Sequence, residues 1–231
     1  MMDFFIDKAL VTSRFYGVLN AFSRNNPSPR YVSLLSEYQQ MHAKSERMFS
    51  GGSLADHLPD IRKMVAESGA KTILDYGSGK GALYELRSSE IKGIGKVESV
   101  ANYLCVDEIT CYDPAVLDFA TFPQGKFDGV ISTDALEHVP EEDMAWVVGE
   151  MFAAADKFVF ANVASFEAQK TLPSGENAHA TQRPSEWWRD FLTTISAGHP
   201  NVSYHVLVEE HRSFLPKIFG KVKVTRITGG G

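Results

Sequence analysis

The sequence predicts an α/β fold, a doubly wound and mostly parallel sheet, and three stretches carry that expectation. In Lys71-Thr72-Ile73-Leu74-Asp75-Tyr76-Gly77-Ser78-Gly79-Lys80-Gly81 an apolar run ends in an acid, glycines follow at alternate positions, and a helical pattern opens at Ala82. This is the pattern of a buried strand, a tight turn and a helix start. Phe127-Asp128-Gly129-Val130-Ile131-Ser132-Thr133-Asp134 and Phe158-Val159-Phe160-Ala161-Asn162-Val163-Ala164 are two further buried-strand patterns, and helical patterns come after each. Strand and helix patterns that alternate in this way are those of an α/β domain.

The chain has 231 residues, which suits one such domain with additions: a helical extension over residues 1–53 and the main domain over 54–231. A hydrophobic content of 44% with 11% aromatics is enough for a sizeable core. The net charge of −6 gives no general attraction to phosphate backbones, which disfavours nucleic acid as a partner. Cys105 and Cys111 are the only cysteines, so neither a disulfide framework nor a four-cysteine zinc site can form. Seven histidines are scattered without ligand spacing, and no metal site is expected. The first residues carry acids where a signal peptide needs bases, and no run has the length of a membrane span. The expectation is a cytoplasmic protein with no membrane partner. Oligomeric state is left open.

In order, residues 3–24 place Phe4, Phe5, Leu10, Phe15, Val18 and Phe22 at helical spacing, and Asn25-Asn26-Pro27-Ser28-Pro29 breaks the pattern. A second helical pattern runs through Tyr31, Leu34, Leu35, Tyr38 and Met41 toward Gly51. A third spans residues 54–68, with Pro59 expected in its first turn and Gly69 as its stop. Residues 88–96 are polar and glycine-containing and read as a loop, followed by a short helix and a strand, residues 108–113, that ends at Asp113. After the second buried strand come Leu136-Glu137-His138-Val139, with Glu137 and His138 expected to start the next helix, and a core helix over 144–155. Residues 165–184 form a polar loop, too rich in hydrogen-bonding groups to be buried unpaired. A helix with Ser185 as its cap, alternating strands at 204–209 and 221–227, and a loose Gly229-Gly230-Gly231 tail complete the chain.

Two ligand classes use a glycine turn of the first kind. Gly77, Gly79 and Ala82 satisfy the loose dinucleotide pattern, and a turn without any ligand is a third reading. The acid two residues before the first glycine, with Asp75-x-Gly77-x-Gly79-x-Gly81, instead resembles motif I of class I S-adenosylmethionine-dependent methyltransferases. The segment through Asp134-Ala135-Leu136-Glu137-His138-Val139 resembles the fourth-strand motif of those that include the ubiquinone-pathway O-methyltransferases. The resemblance covers roughly residues 54–227. It implies a Rossmann-like, seven-stranded, mostly parallel sheet with the last strand antiparallel, and N-terminal helices as a lid with Tyr38, His42 and Phe49 toward the cofactor. Only thirteen residues lie between Asp113 and Phe127, too few for the usual helix and third strand; Asp118 and Phe119 are placed there as adenine-pocket candidates.

The resemblance also implies roles. Asp75, Gly77, Ser78 and Gly79 would hold the amino-acid part of S-adenosyl-L-methionine, Asp113 its ribose, and Thr133, Asp134 and Ala135 would border the crevice. The polar loop is read as the acceptor loop. Among the candidate catalytic residues, His179 and His138 can take a proton near neutral pH, and Asn162 could orient an acceptor with Asn177, Gln182 and Arg183. Paired Trp187 and Trp188 read as packing before stacking on a flat substrate. The expected function is methyl transfer to a small-molecule acceptor, at O or N. The alternatives are an NAD-dependent oxidoreductase, and a non-catalytic cofactor-binding partner protein.

Overall fold

The computed structural model describes residues 22–44, 51–211 and 222–231. The helical pattern before Phe22, and Phe49, lie outside those residues. Helix α1 covers Pro29–Lys44 and α2 covers Leu54–Ser68, which ends on Gly69 in the left-handed conformation with φ 63°. Strand β1 (Thr72–Tyr76) leads through the glycine turn into a single-turn helix α3 (Ala82–Glu85). A small hairpin follows, β2 (Ser89–Ile91) and β3 (Gly95–Val97), then α4 (Val100–Leu104) and β4 (Glu108–Tyr112). Next come a 3-10 turn at Leu117–Phe119, β5 (Phe127–Thr133) and a second 3-10 turn at Leu136–His138. Helix α5 (Glu141–Ala154), β6 (Ala155–Ala164), α6 (Ser185–Ser196), β7 (Ser203–His211) and β8 (Val222–Gly229) close the order.

The main sheet has six strands in the order β4-β1-β5-β6-β7-β8, parallel except for β8. The core alternates along each strand as the two-residue period requires. Leu74, Val130, Val159 and Val206 face the α5–α6 side, with Trp188 and Phe191. Ile73, Ile131, Phe160 and Leu207 face the α2–α4 side, with Leu58 and Leu104. Both faces are covered, which is why the central strands read as continuous apolar runs. The chain leaves β1 to one side for β4 and returns to its other side for β5, so the strand order switches direction between β1 and β5. That switch is where an open α/β sheet leaves a crevice beyond its strand tips.

Several local expectations change. The expected loop at 88–96 is the β2–β3 hairpin, whose Ile91 and Val97 are buried on the α2–α4 side. The segment between Asp113 and Phe127 makes a 3-10 turn and adds no strand, so the sheet has six strands among the described residues where seven were expected. Pro59 is the sixth residue of α2 rather than a first-turn residue, since Leu54 and Leu58 extend the buried face backward. Ser185 is the first helical residue after Pro184, and its N–H donates to Glu210 Oε1 at 3.1 Å. The C-terminal glycines are docked: Gly229 closes β8 against the Tyr204 ring, and Gly231 donates to Pro200 O at 3.3 Å. Trp188 is fully buried in the core, away from any crevice.

Candidate functional site

The crevice at the strand switch is a cleft of about 660 Å³. Its floor is the tips of β1, β4 and β5 (Gly77, Gly79, Asp113, Thr133, Asp134, Ala135), and the second 3-10 turn adds Glu137 and His138. One wall is α1, through Tyr31, Leu34, Tyr38 and His42; the other is the 165–184 loop, through Phe166, Lys170 and His179. The fold therefore gathers eight of the eleven sequence-selected cofactor and catalytic residues at one opening. It leaves Asp75, Ser78 and Asn162 behind it. Asp118 is exposed and neither it nor Phe119 lines the cleft, although Phe119 O accepts from Asp113 N at 3.0 Å.

The glycine turn is shaped by its neighbours. Gly77 has φ 84°, and a Cβ there would sit 2.5 Å from the Ala135 Cβ. Both facts demand glycine, because the β1 turn packs against the β5 turn without room for a side chain. Gly77 N donates to Tyr112 O at 2.7 Å, and Gly79 N donates to Asp113 Oδ2 at 2.9 Å. Asp113 thus clips the glycine turn to the tip of β4, while its Oδ1 accepts from Ala115 N at 2.8 Å. Burial raises its carboxyl above the ordinary range, against the pull of those two amides and of His42. α3 is only one turn, so the helix dipole it adds at this turn is small.

Asp75 lies beneath the floor, 2% exposed. Tyr84 donates to its Oδ2 at 2.7 Å, and Oδ1 has no hydrogen-bond partner. Burial pushes the carboxyl up to about 7, opposed by the Tyr84 hydrogen bond and helped by the charge of Asp113. Tyr84 was not selected from sequence; its position in the first turn after the glycines was the available signal.

At the β5 tip, Asp134 is exposed and takes φ 48°, uncommon for a residue with a side chain. Buried Asn162 at the β6 tip holds it there: Asp134 N donates to Asn162 Oδ1 at 3.1 Å, and Asn162 Nδ2 donates to Asp134 Oδ1 at 2.5 Å. Asn162 orients Asp134 rather than reaching the cleft. Glu137, expected to open a helix, is instead 1% exposed in the 3-10 turn. Its Oε1 accepts from Ala164 N at 3.3 Å, its Oε2 has no partner, and burial holds the carboxyl well above the usual range.

His138 Nδ1 lies 2.9 Å from Ala178 O and 3.0 Å from Tyr38 Oη, whose hydroxyl also donates to Ala178 O. His179 Nδ1 lies 2.5 Å from Phe166 O. A carbonyl oxygen only accepts, so both rings carry their proton on Nδ1 and the lone pair on Nε2. Burial lowers His138 to about 4 and also lowers His179, so both are neutral at pH 7. The rings meet edge to face with centroids 5.2 Å apart.

The 165–184 loop keeps its shape through Asn177, which accepts from Ala168 N and His179 N and donates to Ala168 O. Arg183 pairs with Glu141 on the surface and Gln182 is exposed, so neither lines the cleft. Leu172 and Ala178 of the loop pack on Leu34, Tyr38 and Met41 of α1, joining the two walls. Among the described residues, no helix is long and apolar enough to cross a membrane. Comparison with known proteins found no matching family model, no matching curated protein and no matching solved structure.

Proposed function

We propose that the chain is an S-adenosylmethionine-dependent methyltransferase acting on a small-molecule acceptor through O or N. The observation that carries this reading is Asp113, set on the cleft floor at the tip of β4 and joined to Gly79 of the glycine turn. The residues present fit the cofactor. Asp113 still has lone pairs for ribose hydroxyls, and the exposed carboxylate of Asp134 lies on the floor toward a sulfonium or an ammonium. A volume of about 660 Å³ suits a nucleoside-sized ligand with a small acceptor.

The same features weigh against the dinucleotide alternative. A pyrophosphate needs the N–H groups and dipole of a helix N-terminus, and here the turn leads into four helical residues among carboxyls. The cofactor would supply an electrophilic methyl group. The chain's part is to orient the acceptor, exclude water through α1 and the 165–184 loop, and accept a proton at His179 Nε2. The polar, histidine-bearing loop supports an enzyme over a non-catalytic binding protein.

Calorimetric titration of S-adenosylmethionine, S-adenosylhomocysteine and NAD into the wild-type chain and Asp113→Ala tests the reading. Micromolar binding of the first two, weakened at least about tenfold in the variant, is expected. Binding of NAD alone, or no binding of any of the three, overturns it.

A further inference from the structure

We propose that Glu137, His138 and His179 form a binding site for one divalent transition-metal ion, opening on the cleft. One ligand atom from each of the three lies within 4.8 Å of the others. Bonds near 2.1 Å set tetrahedral ligands about 3.4 Å apart, so the three groups must draw together to close around an ion.

Two further observations point to a cation. Each imidazole is held at Nδ1 by a backbone carbonyl, Ala178 O at 2.9 Å and Phe166 O at 2.5 Å. That contact fixes the ring and directs metal coordination to Nε2, the arrangement found around most metal-bound histidines. The carboxyl of Glu137 is 1% exposed, yet Oε2 has no hydrogen-bond partner. A buried acceptor left in this way costs free energy that a bound cation removes. The charge of Asp134 acts on all three groups, adding to the attraction. Sequence spacing hides the set, since His138 and His179 are 41 positions apart and meet only because the loop folds back over the 3-10 turn.

Two imidazoles and one carboxylate select zinc, manganese or iron over magnesium or calcium, whose preferred ligands are oxygens. An ion held there keeps coordination positions for an oxygen atom from a ligand in the cleft, and acidifies it. With the ion bound, His179 is a ligand, and the acceptor oxygen gives up its proton to bulk water as it coordinates, which takes the place of proton uptake by the ring. This last role rests on the methyltransferase reading; the site itself does not.

The test is calorimetric titration of Zn2+, Mn2+ and Mg2+ into the chelator-treated full chain, without nucleoside or acceptor. One Zn2+ or Mn2+ per chain is expected, weakened by roughly tenfold or more in His179→Ala and in Glu137→Gln. His205→Ala, on β7 outside the cleft, should leave binding unchanged. Circular dichroism melts report whether Glu137→Gln folds, and His179→Ala carries the test if it does not. Manganese electron paramagnetic resonance should show nitrogen coupling that His179→Ala reduces. Absence of stoichiometric binding, equal binding in His179→Ala, or binding of Mg2+ alone overturns the site. None of these outcomes bears on the nucleoside titration, so the two proposals fail separately.

Discussion

Asp75 occupies the end of β1 with Tyr84 on one oxygen and nothing on the other. In the unfolded chain the carboxyl ionises near 3.8, and in the fold near 7. The folded state therefore holds a proton that the unfolded chain releases between those values. This group's contribution to stability is complete below pH 4 and is lost as pH rises through 7. Between pH 5 and 8 the loss is about 3 kcal/mol at 1.36 kcal/mol per unit. His138 works in the opposite sense: its neutral ring is favoured by the fold, and its contribution is lost as pH falls from 6.5 toward 4. Urea unfolding at pH 5 and 8 should show wild type losing about 3 kcal/mol more than Asp75→Asn across that interval. Equal changes in the two proteins would remove the buried carboxyl as the cause.

At the scale of elements, α1 is the wall that the rest of the sheet does not hold by strand pairing. Its N-terminal end is fixed to α5 by one buried residue, Asp143. Oδ1 accepts from Ser28 N at 3.0 Å and from Trp146 Nε1 at 2.7 Å, and Oδ2 accepts from Ser28 Oγ at 2.5 Å. Ser28 Oγ in turn accepts from Tyr31 N at 3.0 Å, capping the helix. Asp143→Ala would strand those donors in a buried place, at a cost on the order of 3 kcal/mol. Urea titration should show the unfolding free energy falling by that amount, through a lower midpoint at unchanged slope, and hydrogen exchange should quicken first in residues 29–44. Uniform loss of protection across the sheet instead would show that α1 is not a separable wall.

For the whole molecule, the cleft is bounded by parts far apart in sequence: α1, the β1 and β5 turns, and the 165–184 loop. A ligand that touches all of them should protect them together. With S-adenosylhomocysteine at 100 times its dissociation constant, stability should rise by about 2.7 kcal/mol. Hydrogen exchange should slow in α1 and in residues 165–184 in the same experiment. Protection confined to the glycine turn would mean that neither wall closes on the ligand.

Much of this was legible in the sequence, and the reason is local chemistry. A strand buried on both faces must be apolar along its length, so β1, β5 and β6 announce themselves, and Asp75 and Asp134 mark the ends of β1 and β5. Gly77 also shows, because a positive φ and a contact with Ala135 exclude every side chain. The tertiary structure decided what depends on packing between distant segments. Glu137 has the appearance of a surface helix start, yet the fold buries it against Ala164. Asn162 has the appearance of an acceptor ligand, yet its amide is used to hold Asp134 at positive φ. Asp75 turns from the cleft to Tyr84. Sequence determined where β1, β4 and β5 end and which residues there could do chemistry. Which of them face the cleft, which stand behind it, and which three could share an ion followed from how the 3-10 turn and the 165–184 loop pack together.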